Sequence, residues 1–217
     1  MNDTSVIYYT SNREDEKFES KIREKLLSVI GDMPLISVSQ KPLEGFGKNI
    51  CVGDVPYCDA SALRQLLIGL KEATTTFAIA TESDVLYPPE YFSFIPPTID
   101  NVYRYTNVWI LYKRIERRYK GKFWKKWYTE GAQMCGREYW IKMLEKALEN
   151  NPAWSETPVP LVFTTKSKYN WASDNPVITI KTEQGLRELT REIKDEPPKE
   201  ELPYWGFAEK IRKELFY

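Results

Sequence analysis

The run Thr76–Asp84, TFAIATESD, joins an apolar stretch directly to two acids that are separated by one residue. The apolar part is typical of a buried strand, because apolar and branched side chains fill a sheet that is covered on both faces. Similar runs precede it at Ser5–Thr10 and Pro34–Ser39, and residues at helical spacing lie between successive runs. This alternation predicts an α/β fold, a single Rossmann-like domain with a mainly parallel central sheet flanked by helices.

The second half of the chain is less regular. Asn101–Tyr112 predicts two extended pieces broken near Asn107, and Gly136–Glu149 carries apolar residues on one side of a helix. A final amphipathic helix is expected at Phe207–Phe216. The remaining assignments are a loop at Gln40–Cys58, short strands at Pro160–Thr164 and Pro176–Ile180, and a surface linker at Asp195–Glu201.

The composition limits the chemistry, because the 217 residues include no histidine. This excludes Ser-His-Asp and Cys-His catalysis and His-ligated zinc, so acid–base chemistry falls to carboxylates, lysines or tyrosines. Lysine and arginine total 31, and aspartate and glutamate also total 31, so the net charge marks neither a nucleic-acid nor a membrane binder.

The cysteines and the N-terminus bear on the compartment. Cys51, Cys58 and Cys135 are too few and too scattered for a disulfide framework, which favours free thiols in a reducing compartment. The N-terminus lacks the basic start and apolar run of a signal peptide, and no apolar run approaches the roughly 20 residues of a membrane span. We therefore expect a cytoplasmic protein without a membrane partner.

Polar groups follow each of the three predicted strands. They are Thr10-Ser11-Asn12, Ser39-Gln40-Lys41 and Glu82-Ser83-Asp84, and parallel strands would bring them to one edge, where open α/β sheets bind ligands. Two closely spaced carboxylates suit a hard divalent cation, which would neutralise a diphosphate and help it leave. The alternative is a solvated turn without a ligand.

A family resemblance rests on this region. The string AIATESDVLYPPEYFSFIPP at Ala78–Pro97 resembles the acidic-motif region of GT-A-type glycosyltransferases, particularly small phage and bacterial enzymes that use nucleotide sugars. Three further pieces are similar to the same family: PLISVSQKP at Pro34–Pro42, Gln65 on the next helix, and Trp205-Gly206. The resemblance implies a GT-A-like domain that binds a sugar nucleotide, usually uridine-linked, at the strand ends.

The resemblance also implies roles for individual residues. Residues 1–112 would form the nucleotide-sugar-binding half and residues 113–217 the acceptor half with the C-terminal helix, in one integrated domain. Mn²⁺ or Mg²⁺ would be held by Asp84 and Glu82, with Asp84 essential for catalysis. The donor-binding residues would be Thr10, Ser11, Asn12, Arg13, Ser39, Gln65, Glu82, Ser83 and Lys181.

One segment departs from the family pattern. Val177–Gly185 reads VITIKTEQG, with Lys181-Thr182 where the family often has a basic residue and a metal-binding histidine. Two alternatives follow. A metal is bound through Asp84, Glu82, diphosphate oxygens and water, or Lys181 supplies positive charge to the leaving group without a metal.

A basic and aromatic segment, YKRIERRYKGKFWKKWY, runs from Tyr112 to Tyr128. Lysine and arginine attract phosphates, and aromatic rings stack on bases, so the segment favours contact with a nucleic acid such as double-stranded DNA. The alternative is a solvated face whose aromatic side chains turn into the core. The residues assigned to acceptor or nucleic acid are Arg114, Arg117, Arg118, Lys122, Trp124, Lys125 and Lys126.

Glu130 and Asp100 are candidates for the general base that takes a proton from the acceptor hydroxyl, since a carboxylate is the natural choice without histidine. The leading hypothesis is transfer of a hexose, glucose first, from a UDP-sugar to a 5-hydroxymethylated pyrimidine in phage DNA within the infected host cytoplasm. The alternatives are a glycosyltransferase acting on a cell-envelope glycan or protein, and a non-catalytic nucleic-acid-binding protein. The sequence sets no oligomeric state.

Overall fold

The computed structural model describes residues 3–115, 121–151, 153–156, 169–182, 184 and 196–217. Four α-helices and one 3₁₀ helix (Pro89–Ser93) lie in these ranges, and the α-helices are α1 Glu16–Ile30, α2 Asp59–Glu72, α3 Arg137–Leu148 and α4 Ala208–Phe216. The strands of the first half are β1 Thr4–Thr10, β2 Leu35–Ser39, β3 Lys48–Cys51, β4 Phe77–Glu82, β5 Val85–Leu86, β6 Val102–Tyr105 and β7 Val108–Tyr112. Those of the second half are β8 Phe123–Lys126, β9 Gln133–Gly136, β10 Tyr169–Trp171, β11 Val177–Lys181, β12 Glu201–Leu202 and β13 Gly206–Phe207.

The central sheet has the order β10-β6-β9-β4-β1-β2-β3. The pairs β3–β2, β2–β1 and β1–β4 are parallel, whereas β9 runs antiparallel to both β4 and β6. A smaller sheet has the order β5-β11-β7-β8, and β12 pairs with β13. The predicted α/β fold, with a mainly parallel central sheet flanked by helices, is confirmed.

Helices cover both faces of the central sheet. On one face α2 and α3 pack on β1 and β4, with Ile7, Leu70, Trp140 and Leu144 buried between them. The opposite face holds Tyr8, Ile79 and Tyr91 together with the second half of α1. A third core joins the first half of α1 to α4 and the smaller sheet, through residues such as Phe18, Trp109 and Leu215. Helix α1 therefore lies against both sheets and positions one relative to the other.

Two predictions from the sequence need correction. The expected loop Gln40–Cys58 contains β3, an edge strand with one strongly apolar residue, Ile50, so no apolar run signals it. The expected linker Asp195–Glu201 contributes structure, since Lys199 exchanges two backbone hydrogen bonds with Phe123 (2.8 and 2.9 Å) and Glu201 begins β12. Such short pairings have no sequence periodicity to detect.

The other assignments hold where the structure describes them. The break near Asn107 separates β6 from β7, and the two C-terminal helices lie within a residue of their expected bounds. The strand expected at Pro160–Thr164 lies outside the described residues. Within the described ranges, no helix combines the length and apolar character that crossing a membrane requires.

Replacing Gly69 by alanine should destabilise the fold. An added Cβ would lie 2.5 Å from Cγ2 of Ile7 and 3.3 Å from Cγ2 of Val38, two branched side chains fixed in the sheet. A contact this short places the overpacking cost at about 2–3 kcal/mol, which exceeds the gain of about 1 kcal/mol that alanine has over glycine in a helix. We expect the free energy of unfolding, measured by urea denaturation, to fall by about 1–2 kcal/mol.

The matched control is Lys71→Ala on the same helix. Lys71 is exposed, and its ion pair with Glu145 (2.6 Å) lies at the surface, so the change should stay within about 0.5 kcal/mol. An unchanged or higher stability of Gly69→Ala would contradict the close approach of α2 to β1.

Candidate active site

The end of β1 is held by a buried carboxylate that the sequence did not single out. Glu19, in the first turns of α1, has no exposed surface and accepts hydrogen bonds from Thr10 Oγ1 (3.1 Å) and Asn12 Nδ2 (3.3 Å). Its signal was its position, because Glu19 is three residues before Ile22 and seven before Leu26, on the apolar stripe of the helix. The pKa of Glu19 is raised to about 7, chiefly by burial, while the bond from Thr10 and the charge of Arg23 oppose the shift.

Asn12 connects the ends of two strands. Its Oδ1 accepts hydrogen bonds from the backbone N–H groups of Gln40 and Lys41, both 2.9 Å, just beyond β2. The residue has φ 49°, in the left-handed region that asparagine tolerates better than most residues. From α2, Gln65 donates through Nε2 to Thr10 O (2.8 Å). Thr10, Asn12 and Gln65, all predicted to bind the donor, therefore fix the backbone at this edge.

A cavity of about 490 Å³ opens at the same edge of the sheet. Arg13, which lines it, stacks its guanidinium over the ring of Tyr57 at 4.5 Å, and Tyr57 donates from its hydroxyl to Gln184 O (2.6 Å). At the end of β2, the hydroxyl of Ser39 donates to Lys41 O (2.6 Å). The described residues that line the cavity are Ser11, Asn12, Arg13, Gln40, Lys41, Asp54, Val55 and Gln184.

The acidic motif follows β4 beside this cavity, since Tyr9 of β1 pairs with Glu82 of β4. The hydroxyl of Tyr9 donates to Glu82 Oε1 (2.7 Å), and the backbone N–H of Glu82 donates to the hydroxyl of Tyr87 (2.9 Å). Tyr87 in turn donates to Gly131 O (2.6 Å). A side chain at position 131 would overlap the carboxyl group of Glu82, so this glycine lets the segment that carries Glu130 pack directly on the motif.

Two lysines face the two acids. Lys181 follows Ile180, whose N–H donates to Asp84 O (2.7 Å), and Lys126 ends β8. Burial is the main cause that raises the pKa of Glu82 to about 7, and the charge of Asp84 adds to it. Burial also raises the pKa of Asp84, against the opposing charges of Lys181 and Lys126. The pKa of Lys126 is lowered to about 8 by burial and by Lys181, which the surrounding carboxylates counter.

The site fits a divalent cation through one carboxylate rather than two. Among the described residues, no three acids or thiols lie close enough together to hold a metal ion. Oε1 of Glu82 already accepts the hydrogen bond from Tyr9, which leaves this carboxylate fewer free positions for a cation. Asp84, half-buried, remains as a ligand whose coordination shell a bound diphosphate would have to complete.

The described charged side chains of the basic segment do not form one uniform face that could bind phosphates. Lys122 pairs with Glu200 (2.8 Å), Lys125 donates to Asn107 Oδ1 (2.8 Å), and Lys126 faces the acidic motif. Lys125 also lies over the ring of Trp109 at 5.2 Å. Arg114 is exposed and Trp124 half-buried, whereas Arg117 and Arg118 lie outside the described residues.

The structure brings one of the two predicted bases to the site. Glu130 lies next to Gly131 and therefore beside Glu82, and Gln133 Nε2 donates to its backbone oxygen (3.0 Å) and to its carboxylate. Asp100 is at the opposite edge, because its neighbour Ile99 contacts Gly136, which pairs with the first residue of β4, Phe77. Asp100 therefore lies outside the site.

Comparison with known proteins finds solved structures of distant similarity. No protein-family model matches the sequence, and the search of curated proteins finds no match. Similar solved structures include the glycosyltransferase GlyE of Streptococcus pneumoniae TIGR4 in its apo form, with 7% identity, a TM-score of 0.48, and coverage of 77% of this chain and 45% of that chain. S. aureus TarS 1–349 in complex with UDP-GlcNAc has 14% identity and a TM-score of 0.47, with coverage of 83% and 59%.

A third similar structure is a glycosyltransferase involved in glycosylation of the major capsid of PBCV-1, with 12% identity, a TM-score of 0.45, and coverage of 79% of this chain and 81% of that chain. The present chain thus spans 45% of GlyE and 59% of the TarS fragment. At identities this low, the function has to be argued from the residues of the site.

Glu19 should make stability depend on pH. Its folded-state pKa of about 7 lies above the ordinary 4.5, so the folded protein binds a proton that the unfolded chain has released. This stabilisation is complete below about pH 4.5 and is lost as the pH rises through about 7. Glu19→Gln should therefore gain about 1–3 kcal/mol relative to wild type between about pH 5 and about pH 8, measured by urea denaturation.

Glu16→Gln is the control, because Glu16 is an exposed acid on the same helix that also pairs with Arg23. Its stability relative to wild type should change little over the same range. Parallel pH profiles for Glu19→Gln and wild type would show that Glu19 is ionised in the folded protein at all these pH values.

Proposed function

We propose that the protein is a glycosyltransferase that moves a hexose, glucose in the first instance, from a UDP-sugar to an acceptor hydroxyl. The observation that carries this proposal is the juxtaposition of a polar cavity after β1 and β2 with a half-buried group of acids and lysines at the end of β4. A nucleoside diphosphate sugar has matching parts, namely a polar base and ribose, a dianionic bridge and a sugar.

The donor fits along the sheet edge in one direction. The nucleoside would occupy the cavity lined by Ser11, Arg13 and Gln40, at the ends of β1 and β2. Adjacent strands lie about 4.8 Å apart. A donor whose nucleoside lies at the ends of β1 and β2 is therefore long enough for its diphosphate to reach the end of β4. The hexose would then lie beside Glu82 and Glu130, which the close packing of Gly131 on Glu82 brings together.

The chain's own residues would stabilise the departing nucleotide. As the bond between the anomeric carbon and the diphosphate oxygen breaks, negative charge grows on the diphosphate, and the ammonium groups of Lys181 and Lys126 offset it. The buried surroundings strengthen this interaction because they exclude water. If Mn²⁺ or Mg²⁺ is bound, Asp84 would hold it, and the cation would neutralise the same diphosphate.

Glu130 is the residue proposed as general base. Its carboxylate would accept the proton of the acceptor hydroxyl while the acceptor oxygen forms the new bond to the anomeric carbon. The bond from Gln133 fixes the orientation of this carboxylate. Glu82, held by Tyr9 and packed against Gly131, positions the segment that carries Glu130 rather than reacting itself.

The acceptor proposed from the sequence is a 5-hydroxymethylated pyrimidine in phage DNA. Its support is the charge of the basic segment, in particular Arg114, Arg117 and Arg118. Against it, Lys122, Lys125 and Lys126 each face protein groups. That arrangement favours the second candidate, a glycosyltransferase whose acceptor is a cell-envelope glycan or protein.

Asp84→Asn should abolish glycosyl transfer while leaving the fold intact. The amide keeps the shape of the side chain but removes the charge that holds a cation, so release of UDP from UDP-glucose with Mn²⁺ should fall by about 100-fold or more. Mn²⁺ binding in the presence of UDP, followed by electron paramagnetic resonance, should be lost in Asp84→Asn and retained in Glu82→Gln. Asp174→Asn, an exposed acid, is the control with wild-type UDP release. Wild-type turnover in Asp84→Asn would place the donor elsewhere.

A DNA acceptor predicts salt-sensitive binding of duplex DNA through the arginines. Replacing Arg114, Arg117 and Arg118 together with serine should reduce the slope of log affinity against log salt by about 3, because each lost phosphate contact removes about one unit. The control replaces three lysines outside this segment, Lys71, Lys142 and Lys146, which removes the same charge. Equal losses in both variants, or no duplex binding at low salt, would contradict a DNA acceptor and favour the glycan or protein.

A further inference from the structure

Arg104 on β6 is buried without the partners that a buried arginine needs. Its side chain is 5% exposed, and its guanidinium lies over the ring of Tyr128 at 4.7 Å. Its Nε has no hydrogen-bond partner, and among the described residues no carboxylate forms an ion pair with it. A buried cation in this state is costly, because the charge has left water without gaining an anion.

A second arginine that is buried in the described part of the chain, Arg212, shows a structural role. Arg212, 7% exposed, donates from Nε to Tyr112 O (3.2 Å) and from Nη2 to Lys113 O (2.6 Å). It joins α4 to the end of β7 and leaves few donors free. Arg104 has no such connection, so packing alone does not account for it.

A second orphaned group lies directly beside Arg104. Gln133 of β9 pairs with Arg104 across the two strands, so both side chains point to the same face of the sheet. Gln133 is 3% exposed, its Nε2 donates to Glu130, and its Oε1 has no partner. The oxygens of Glu130 are acceptors, so the atom of the Gln133 amide that bonds to them must be the nitrogen. The amide oxygen of Gln133 is then left without a donor.

These groups lie next to the proposed site of transfer. Glu130 is bonded to Gln133, and Gly131 packs on Glu82. A ligand that satisfied both orphaned groups would present an oxyanion to Arg104 and a hydroxyl to Gln133 Oε1. Its hydroxyl would then lie close to the carboxylate of Glu130.

We propose that Arg104 and Gln133 form the acceptor subsite and that the acceptor is a hydroxylated acid, with a phosphate or carboxylate bound by Arg104. That the bound acid is the acceptor rests on the proposed function, whereas the oxyanion site itself rests on Arg104 and Gln133. Arginine suits both anions, because its planar donors match two oxygens at once. The neighbouring hydroxyl is the group that Glu130 would deprotonate.

The test uses two probes, inorganic phosphate and acetate, each titrated into the full chain by calorimetry and by thermal unfolding. Wild type should bind at least one of them and gain melting temperature, and the stronger probe identifies the anion. Arg104→Met should lose this response and, in buffer free of both anions, should melt no lower than wild type, because an uncompensated charge has been removed. Arg104→Lys serves as a second variant and should bind about tenfold or more weakly, since it lacks the paired donors.

Two control variants complete the test. Arg137→Met removes an arginine that bonds to Thr75 O (3.1 Å), and it should melt lower while keeping the anion response. Lys181→Met tests whether the anion instead binds at the proposed diphosphate site. Anion binding that survives in Arg104→Met and disappears in Lys181→Met, or an absence of anion binding in wild type, would overturn the proposal. Binding of UDP is measured separately, so anion binding at Arg104 without UDP binding would contradict the proposed function and leave the oxyanion site standing.

Discussion

The buried carboxylate of Glu19 is the interaction on which the binding edge of this protein depends. It fixes the side chains of Thr10 and Asn12, and Asn12 then fixes the backbone beyond β2. These hydrogen bonds stabilise the left-handed backbone conformation of Asn12 in the loop after β1. They also hold the ends of β1 and β2 at a fixed spacing. An acid placed in the apolar stripe of α1 thus shapes a cavity that it does not line.

The rest of the site follows from charge held in a partly enclosed space. Two acids and two lysines from three different segments meet at the end of β4, and burial shifts the pKa values of Glu82 and Lys126 toward neutrality. A group of this kind has little net charge when empty, and it can respond to a dianionic ligand by changing protonation. Charges that are fixed in advance stabilise a developing charge without the cost of rearranging groups around it.

The fold and the acidic edge could be predicted from the sequence, because strands and helices leave periodic patterns and parallel strands end at one edge. Thr10, Asn12 and Gln65 lie at that edge, but the contacts that Thr10 and Asn12 make there depend on Glu19, which only folding brings next to them. The basic segment shows the limit most clearly. Lys126 is one charge in a run, and only the pairing of β8 with β7 determines that it faces Asp84 rather than solvent. Arg104 could not be identified from the sequence, because what distinguishes it is the absence of hydrogen-bond and ion-pair partners among the described residues of the folded protein.

The position of β9 in the sheet affects how the protein folds during its synthesis. This strand lies between β4 and β6 although it follows both in the chain, and β11, later still, pairs with β5 and β7. A nascent chain that ends before β9 therefore has an open edge on β4, and the carboxyl group of Glu82 lacks the segment that packs over it. The acids emerge from the ribosome long before Lys181 does. Any activity that needs both must appear only when most of the polypeptide has left the ribosome, so truncated products would be inert.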